Sequence, residues 1–177
     1  MHLNRNSVIT VTDLDVATGT MDKTRAHIEG ILHRAFSIFV LNDKGELLLQ
    51  QRADTKYHSG GLWTNTCCSH PTPGEATDSA ANRRLVEEMG FQCPLEHIFS
   101  FSYKADVGGG MIEHEFDHVY LGHYNELPAF NTDEVKAIKY ESLEIINDML
   151  EKEPAPFTAW MRIAFPKFYE YIKARTL

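Results

Sequence analysis

A chain of 177 residues is long enough for one domain with a buried core, and 43% apolar with 24% charged content is that of a globular protein rather than a disordered one. The formal net charge of −8 argues against a nucleic-acid partner, because neutralising phosphates takes clustered Lys and Arg, although it leaves room for one local basic pocket. No N-terminal apolar run has the length of a signal peptide, and no segment approaches the roughly 20 apolar residues of a membrane span.

In chain order, residues 7–12 (SVITVT) alternate β-branched and polar side chains and predict a first strand. Residues 21–29 predict a short helix with Lys23 and His27 one turn apart on one face. His33 opens an apolar run at 35–41, which the turn at 42–45 joins to 46–52 as a hairpin. Polar residues 54–59 then lead into the stretch 60–90, GGLWTNTCCSHPTPGEATDSAANRRLVEEMG. Its first half reads as turns, with Cys67, Cys68 and His70 close together and Pro71 and Pro73 closing the segment. The second half, 77–89, reads as one helix bearing Arg83, Arg84, Glu87 and Glu88.

Beyond it, 98–105 reads as an aromatic strand, and Gly108, Gly109 and Gly110 as a turn. Residues 113–124 (EHEFDHVYLGHY) put Glu113, Glu115 and Asp117 on one strand face. A further strand is expected at 135–141. Helices at 143–152 and 157–174 close the chain, separated by Pro154 and Pro156, with Pro166 expected to kink or interrupt the second. Many strands and few helices, not in strict alternation, predict an α+β fold. It would be a mixed β-sheet packed against helices, in one domain spanning 1–177.

The three cysteines are an odd number and two are sequence neighbours, a poor layout for disulfides; free thiols in a reducing compartment, the cytoplasm, are expected. Cys67 and Cys93 read as packed thiols. Cys68, two residues before His70, reads either as a buried structural thiol or as one activated by nearby positive charge. His27, His33 and His70 come from separate segments and Glu113 and Glu115 from one strand face. Together they would make most of an octahedral shell for Mg²⁺ or a divalent transition metal. Taken singly, each histidine reads as a surface or satisfied core residue, and the E-x-E as a solvated face. Tyr103 and Trp160 read as core aromatics unless a substrate passes through a carbocation, which a π face stabilises.

Glu75, seven residues, then RRLVEEMGF (83–91) is close to the Nudix box. In that box, Gly, five residues, Glu, seven residues and Arg-Glu-apolar-x-Glu-Glu-x-Gly-apolar bring helix glutamates to a cation that bridges diphosphate oxygens; hard carboxylate oxygens suit Mg²⁺. Two positions depart: Ser69 replaces the first Gly, and Arg84 the Glu after the first Arg. A permanent cation at 84 weakens metal assembly for hydrolysis but offers a guanidinium to a phosphate. Without the box, the helix reads as an exposed one of mixed charge.

The motifs LHRAFSIFV, QQR, LWTNTCCSHP, this degenerate box, a Tyr before EHEF and a late FTAWM, in that order from about Lys23 to Trp160, resemble the type 1 isopentenyl-diphosphate Δ-isomerase family. The resemblance implies a Nudix-like fold and interconversion of isopentenyl and dimethylallyl diphosphates, an isoprenoid-precursor step. It implies Cys68 as the catalytic thiol and Glu115 as the catalytic carboxylate, with Tyr103 and Trp160 as the aromatics beside the carboxylate and over the hydrocarbon. His27, His33, His70, Glu113 and Glu115 would hold a site metal (Mn²⁺, Mg²⁺ or Zn²⁺), and Glu88 a Mg²⁺ that arrives with the diphosphate. Lys23, Arg52, Lys56 and Arg84 would hold the small-molecule diphosphate, the local basic pocket that the net charge conceals. No nucleic-acid or membrane partner is expected, and the oligomeric state is open. Two other readings share the scaffold: a Nudix hydrolase of a nucleotide or other diphosphate, which needs neither Cys68 nor Trp160, and a non-enzymatic metal- or thiol-binding domain.

Overall fold

The computed structural model describes residues 6–176. The β-branched segment Ser7–Val11 forms β1, which pairs antiparallel with β2 (Ala17–Asp22). Asp22 ends that strand and caps the next helix, its carboxylate accepting the Arg25 N–H, so α1 spans Lys23–Glu29 and stops at left-handed Gly30. The helix therefore begins later than the expected residue 21, because Met21 is paired with Val8 in β2. β2 has no signature in the sequence: it is exposed almost throughout, with no buried face to impose alternation.

β3 (His33–Leu41) is the spine of a nine-stranded mixed sheet. It runs parallel to β8 (Met111–His123), with His33 beside Glu115 and Leu41 beside His123. It also meets β6 (Cys67–Ser69) antiparallel, Ser37 opposite Cys68. The expected turn follows β3, Gly45 N–H bonding to Asn42 O, and leads to β4 (Glu46–Arg52). β4 then turns to β9 (Val135–Ser142) and to the two-residue β5 (Trp63–Thr64). β5 and β6 lie where only turns are expected from the sequence; pairing with β4 and β3, not local propensity, makes them strands. β7 (Leu95–Gly108), longer at both ends than the expected 98–105, pairs with β8 in a long hairpin. It turns at Gly109 and Gly110, whose φ values of 64° and 75° suit glycine.

The period of two along β3 divides the core. Phe36, Ile38 and Val40 face α2 (Thr77–Met89) and pack on its Ala80, Leu85 and Met89. Phe39 and Leu41 face α3 (Leu143–Lys152) and α4 (Ala159–Thr176), packing with Ile146, Phe165 and Phe168. Each such side chain contributes roughly 1.5–3 kcal/mol by leaving water. The same alternation separates the adjacent cysteines: Cys67 is fully buried in the core beneath α2, while Cys68 opens on a cavity.

α4 begins at residue 159 rather than 157, because Trp63 N–H bonds to Pro156 O and Thr158 N–H to Trp63 O, holding that segment extended. Pro166, at an exposed position, does not interrupt the helix. No helix among the described residues is long and apolar enough to cross a membrane.

Candidate active site

Three segments remote in sequence meet where β3 begins. His33, the first residue of that strand, lies beside Glu115 because β3 and β8 pair in parallel. His70 follows directly on β6, and His27 comes from α1. His70 Nε2 is 2.8 Å from Glu115 Oε1 and 3.2 Å from His33 Nε2, and His33 Nε2 is 3.6 Å from that same oxygen. The Nδ1–H of His27 donates to Lys23 O and that of His33 to Ile31 O, each at 2.7 Å. Backbone carbonyls thus fix the tautomer that aims both Nε2 lone pairs inward.

The donor set fits a divalent cation. His27, His33, His70 and Glu115 offer ligand atoms within 4.8 Å of one another. Burial lowers the pKa of His27, and it pushes His70 down to about 4 against the pull of Glu115, so both rings are neutral and ligand-ready. The most direct sign is a cost left unmet: His27 Nε2 is buried with no hydrogen-bond partner, an arrangement that is expensive unless something else binds there.

Glu113, Glu115 and Asp117 share one face of β8, as expected, and all three are buried rather than solvated. Three charges cannot share so dry a strip. Burial and the charge of Glu115 hold Glu113 well above the carboxylate range and push Asp117 up to about 8. Burial works against Glu115 as well, but the closeness of the His33 and His70 rings outweighs it and holds that carboxyl well below its usual range. Tyr103, opposite Glu115 in the β7–β8 register, places its hydroxyl 2.6 Å from Glu115 Oε2 and 2.9 Å from Glu113 Oε2.

His70, Tyr103, Glu113 and Glu115 line a cavity of about 260 Å³ together with Cys68 and Trp160. Burial raises the Cys68 pKa far enough to keep the thiol protonated, with Arg52 the main opposing influence. Trp160 is 3% exposed, and the Arg52 guanidinium lies 4.9 Å from its ring centroid.

The same cavity is strongly cationic. Lys23, Arg52, Lys56 and Arg84, the four residues named from the sequence, line it together with Arg83. Burial lowers the Lys23 pKa, and the charges of Lys56, Arg84 and Arg52 lower it further despite Glu134. Arg52 Nε and Arg84 Nε are both buried without partners. Crowded like charges and unused donors are what an anion would relieve. Glu88 lies in the same wall, ion-paired with Arg84 and accepting from Gln50 Nε2 at 3.2 Å.

All thirteen side chains singled out in the sequence therefore lie in or around one site: eleven line the cavity, and His27 and His33 complete the donor cluster beside it. Others were not legible. Glu134 pairs with both Lys56 and Arg84, and Tyr57 carries Lys23 over its ring at 5.3 Å. His58 is buried between Tyr57 and Trp160. They sit in loops with no motif spacing, and only the acid-near-base pattern of Glu134 hints at a role.

Residues 31–161 match the NUDIX domain family. The isopentenyl-diphosphate Delta-isomerase of Pectobacterium atrosepticum is 47% identical over 94% of this chain and 93% of its own length. That of Serratia proteamaculans is 50% identical over 82% of each. Among solved structures, the DR0079 protein of Deinococcus radiodurans superposes with a TM-score of 0.75 over 91% of this chain and 98% of its own; at 16% identity the likeness concerns the fold. A MutT protein of Methanosarcina mazei superposes with a TM-score of 0.65 at 20% identity, over 80% and 96%.

Proposed function

The chain belongs to the NUDIX family and, within it, to the isopentenyl-diphosphate Δ-isomerases, and from that membership we propose how its residues divide the reaction. The observation that carries the proposal is that Cys68 and Glu115, a protonated thiol and a charged carboxylate, open on one cavity that a cluster of Lys and Arg also lines.

Interconverting isopentenyl and dimethylallyl diphosphates adds a proton at one terminal carbon and removes another from the carbon on the opposite side of the tertiary centre. Water is too weak an acid to protonate an unactivated alkene at neutral pH, so the site must supply a placed acid and a placed base. Cys68 and Glu115 fill these roles and exchange them with the direction of reaction. As the thiol gives up its proton, Arg52 is the positive charge that eases the resulting thiolate. The Tyr103 hydroxyl donates to Glu115 and fixes the orientation of its carboxylate.

Between the two proton transfers the substrate is a tertiary cation, which water would capture. Trp160 and the surrounding buried groups exclude water, and the indole face stabilises the cation by about 2 kcal/mol. Lys23, Arg52, Lys56 and Arg84 grip the diphosphate, spending remote binding energy to hold a small hydrocarbon still. His27, His33, His70, Glu113 and Glu115 would hold a divalent metal, and Glu88 a Mg²⁺ that enters with the diphosphate. The site metal, when bound, supplies positive charge that tunes the acidity of the carboxylate it touches. The small-molecule diphosphate is the partner this chemistry requires, and the reduced thiol it depends on suits a reducing compartment such as the cytoplasm.

The test is turnover of isopentenyl diphosphate in D₂O by the metal-loaded protein. Deuterium should enter both carbon skeletons as the two isomers equilibrate, with no phosphate released. Phosphate release without isomerisation would replace this reading with a hydrolase.

A further inference from the structure

The loop between β4 and β5 leaves one buried imidazole outside the division of labour above. His58 is 9% exposed, and its ring stands edge-on to Trp160 with centroids 5.8 Å apart and 5.9 Å from the ring of His27. Its Nε2 lies 3.8 Å from Glu113 Oε1. Its Nδ1 lies 3.2 Å from Ser59 Oγ, and its carbonyl accepts from Arg52 Nη2 at 3.3 Å. Ser59 holds a left-handed backbone, φ 52°, a conformation uncommon for a residue with a side chain and one that a packed surrounding must maintain.

The ring is thus arranged like His27 and His33: one nitrogen occupied by a local oxygen, the other turned toward the carboxylates. The donor atoms fall into two sets, His27, His33, His70 and Glu115 in one and His27, His58 and Glu113 in the other, each within 4.8 Å mutually. Both sets contain His27. With Nδ1 committed to Lys23 O, the shared atom is Nε2, the buried nitrogen that has no partner. A single imidazole lone pair binds one cation, so the two sets that share it can serve one ion, the six donors, not all within 4.8 Å of one another, drawing together as it binds. Three imidazoles and two carboxylates give five donors, and an octahedral ion takes six.

We propose that His58 is the sixth protein donor, closing the shell with a fourth imidazole. The proposal rests on the metal-site reading above and extends it. A closed, nitrogen-rich shell favours Mn²⁺, Co²⁺ or Zn²⁺ over Mg²⁺ and leaves no coordination position for substrate or water. The metal then acts on the reaction through Glu115 and not by direct contact with the hydrocarbon.

The experiment uses purified full-length protein stripped with chelator and reloaded with Mn²⁺ or Zn²⁺. X-ray absorption at the metal edge counts the imidazoles, and competition with a chromophoric chelator measures affinity. Two variants separate ligation from packing: His58→Ala, and His58→Phe, which keeps an aromatic edge against Trp160 without a nitrogen. Four imidazoles in the wild type, three in both variants, and affinity lowered roughly 10–100-fold in both are expected. Three imidazoles in the wild type, or wild-type affinity in His58→Phe, overturns the assignment of His58 alone. A wild-type protein that takes up no stoichiometric metal overturns the whole centre, with His33→Ala as the reference for a lost ligand. Melting of the metal-free variants within a few degrees of the metal-free wild type shows that the fold is retained. A variant that melts well below it while its metal still shows four imidazoles also overturns the assignment.

Discussion

The hydroxyl of Tyr103 lies 2.6 Å from Oε2 of Glu115. The two are cross-strand partners in the β7–β8 hairpin, so sheet register rather than a mobile side chain sets that distance. Burial and the adjacent carboxylates hold the phenol pKa well above its ordinary value, and the hydroxyl remains a donor. Replacing Tyr103 by Phe should lower turnover roughly 10–100-fold, the worth of one hydrogen bond to a charged group. The KM for the diphosphate should change little, which steady-state kinetics will show.

The two proton carriers should be less forgiving. Cys68→Ala and Glu115→Gln are each expected to reduce turnover at least ~10²–10⁴-fold and to abolish deuterium uptake into the substrate. Circular dichroism should still report a folded protein. Near-wild-type exchange in either variant removes that residue from the chemistry.

Chelation should abolish activity, and Mn²⁺, Mg²⁺ and Zn²⁺ added back singly will show which restores it. Because the donors are buried and His27 Nε2 is otherwise unpartnered, the metal-free protein should also melt lower, by an amount that grows with free metal concentration. A rigorously metal-free sample that turns over normally contradicts the metal site.

Lys23 offers a test with opposite signs. Lys56, Arg84 and Arg52 crowd it in the free protein, so Lys23→Ala should leave stability unchanged or slightly raised. The KM for the diphosphate should rise roughly 10–100-fold, about 1.4–2.7 kcal/mol. Thermal melting and kinetics on the same preparation separate the two effects.

Glu75 carries the acid limb of stability. Hydrogen bonds from Arg83, aided by Thr72, hold its carboxyl down to about 2 from an ordinary 4.5. A depressed folded pKa means this contribution is complete above pH 4.5 and fades as pH falls toward 2. Glu75→Gln should cost roughly 1–2 kcal/mol at pH 7, after allowing for solvent screening. Urea titrations should show the gap between variant and wild type narrowing at pH 3.

What the sequence discloses and what it hides follow from whether the signal is local. α2 and α3 begin and end where the sequence reading places them, at 77–89 and 143–152. β2 is hidden because a strand exposed on both faces needs no alternation, and β6 because three residues become a strand through the partner they find. The site divides in the same way. His27, His33, His70, Glu113 and Glu115 can be named from motifs, but only the parallel alignment of β3 with β8 brings His33 to Glu115, and no local pattern encodes a crossover. Glu134 and His58 act from loops, where spacing conveys nothing about what lies opposite.

α2 ends on Gly90, whose N–H bonds to Val86 O in a left-handed cap. A Cβ there would fall 2.1 Å from the carbonyl oxygen of Ala129, so a neighbouring loop as well as the helix end forbids any other residue. The glycine that closes the charged box is accordingly a matter of clearance between two backbones. A chain that had lost every reacting group but kept this packing would still need a glycine here, for the shape and not for the chemistry.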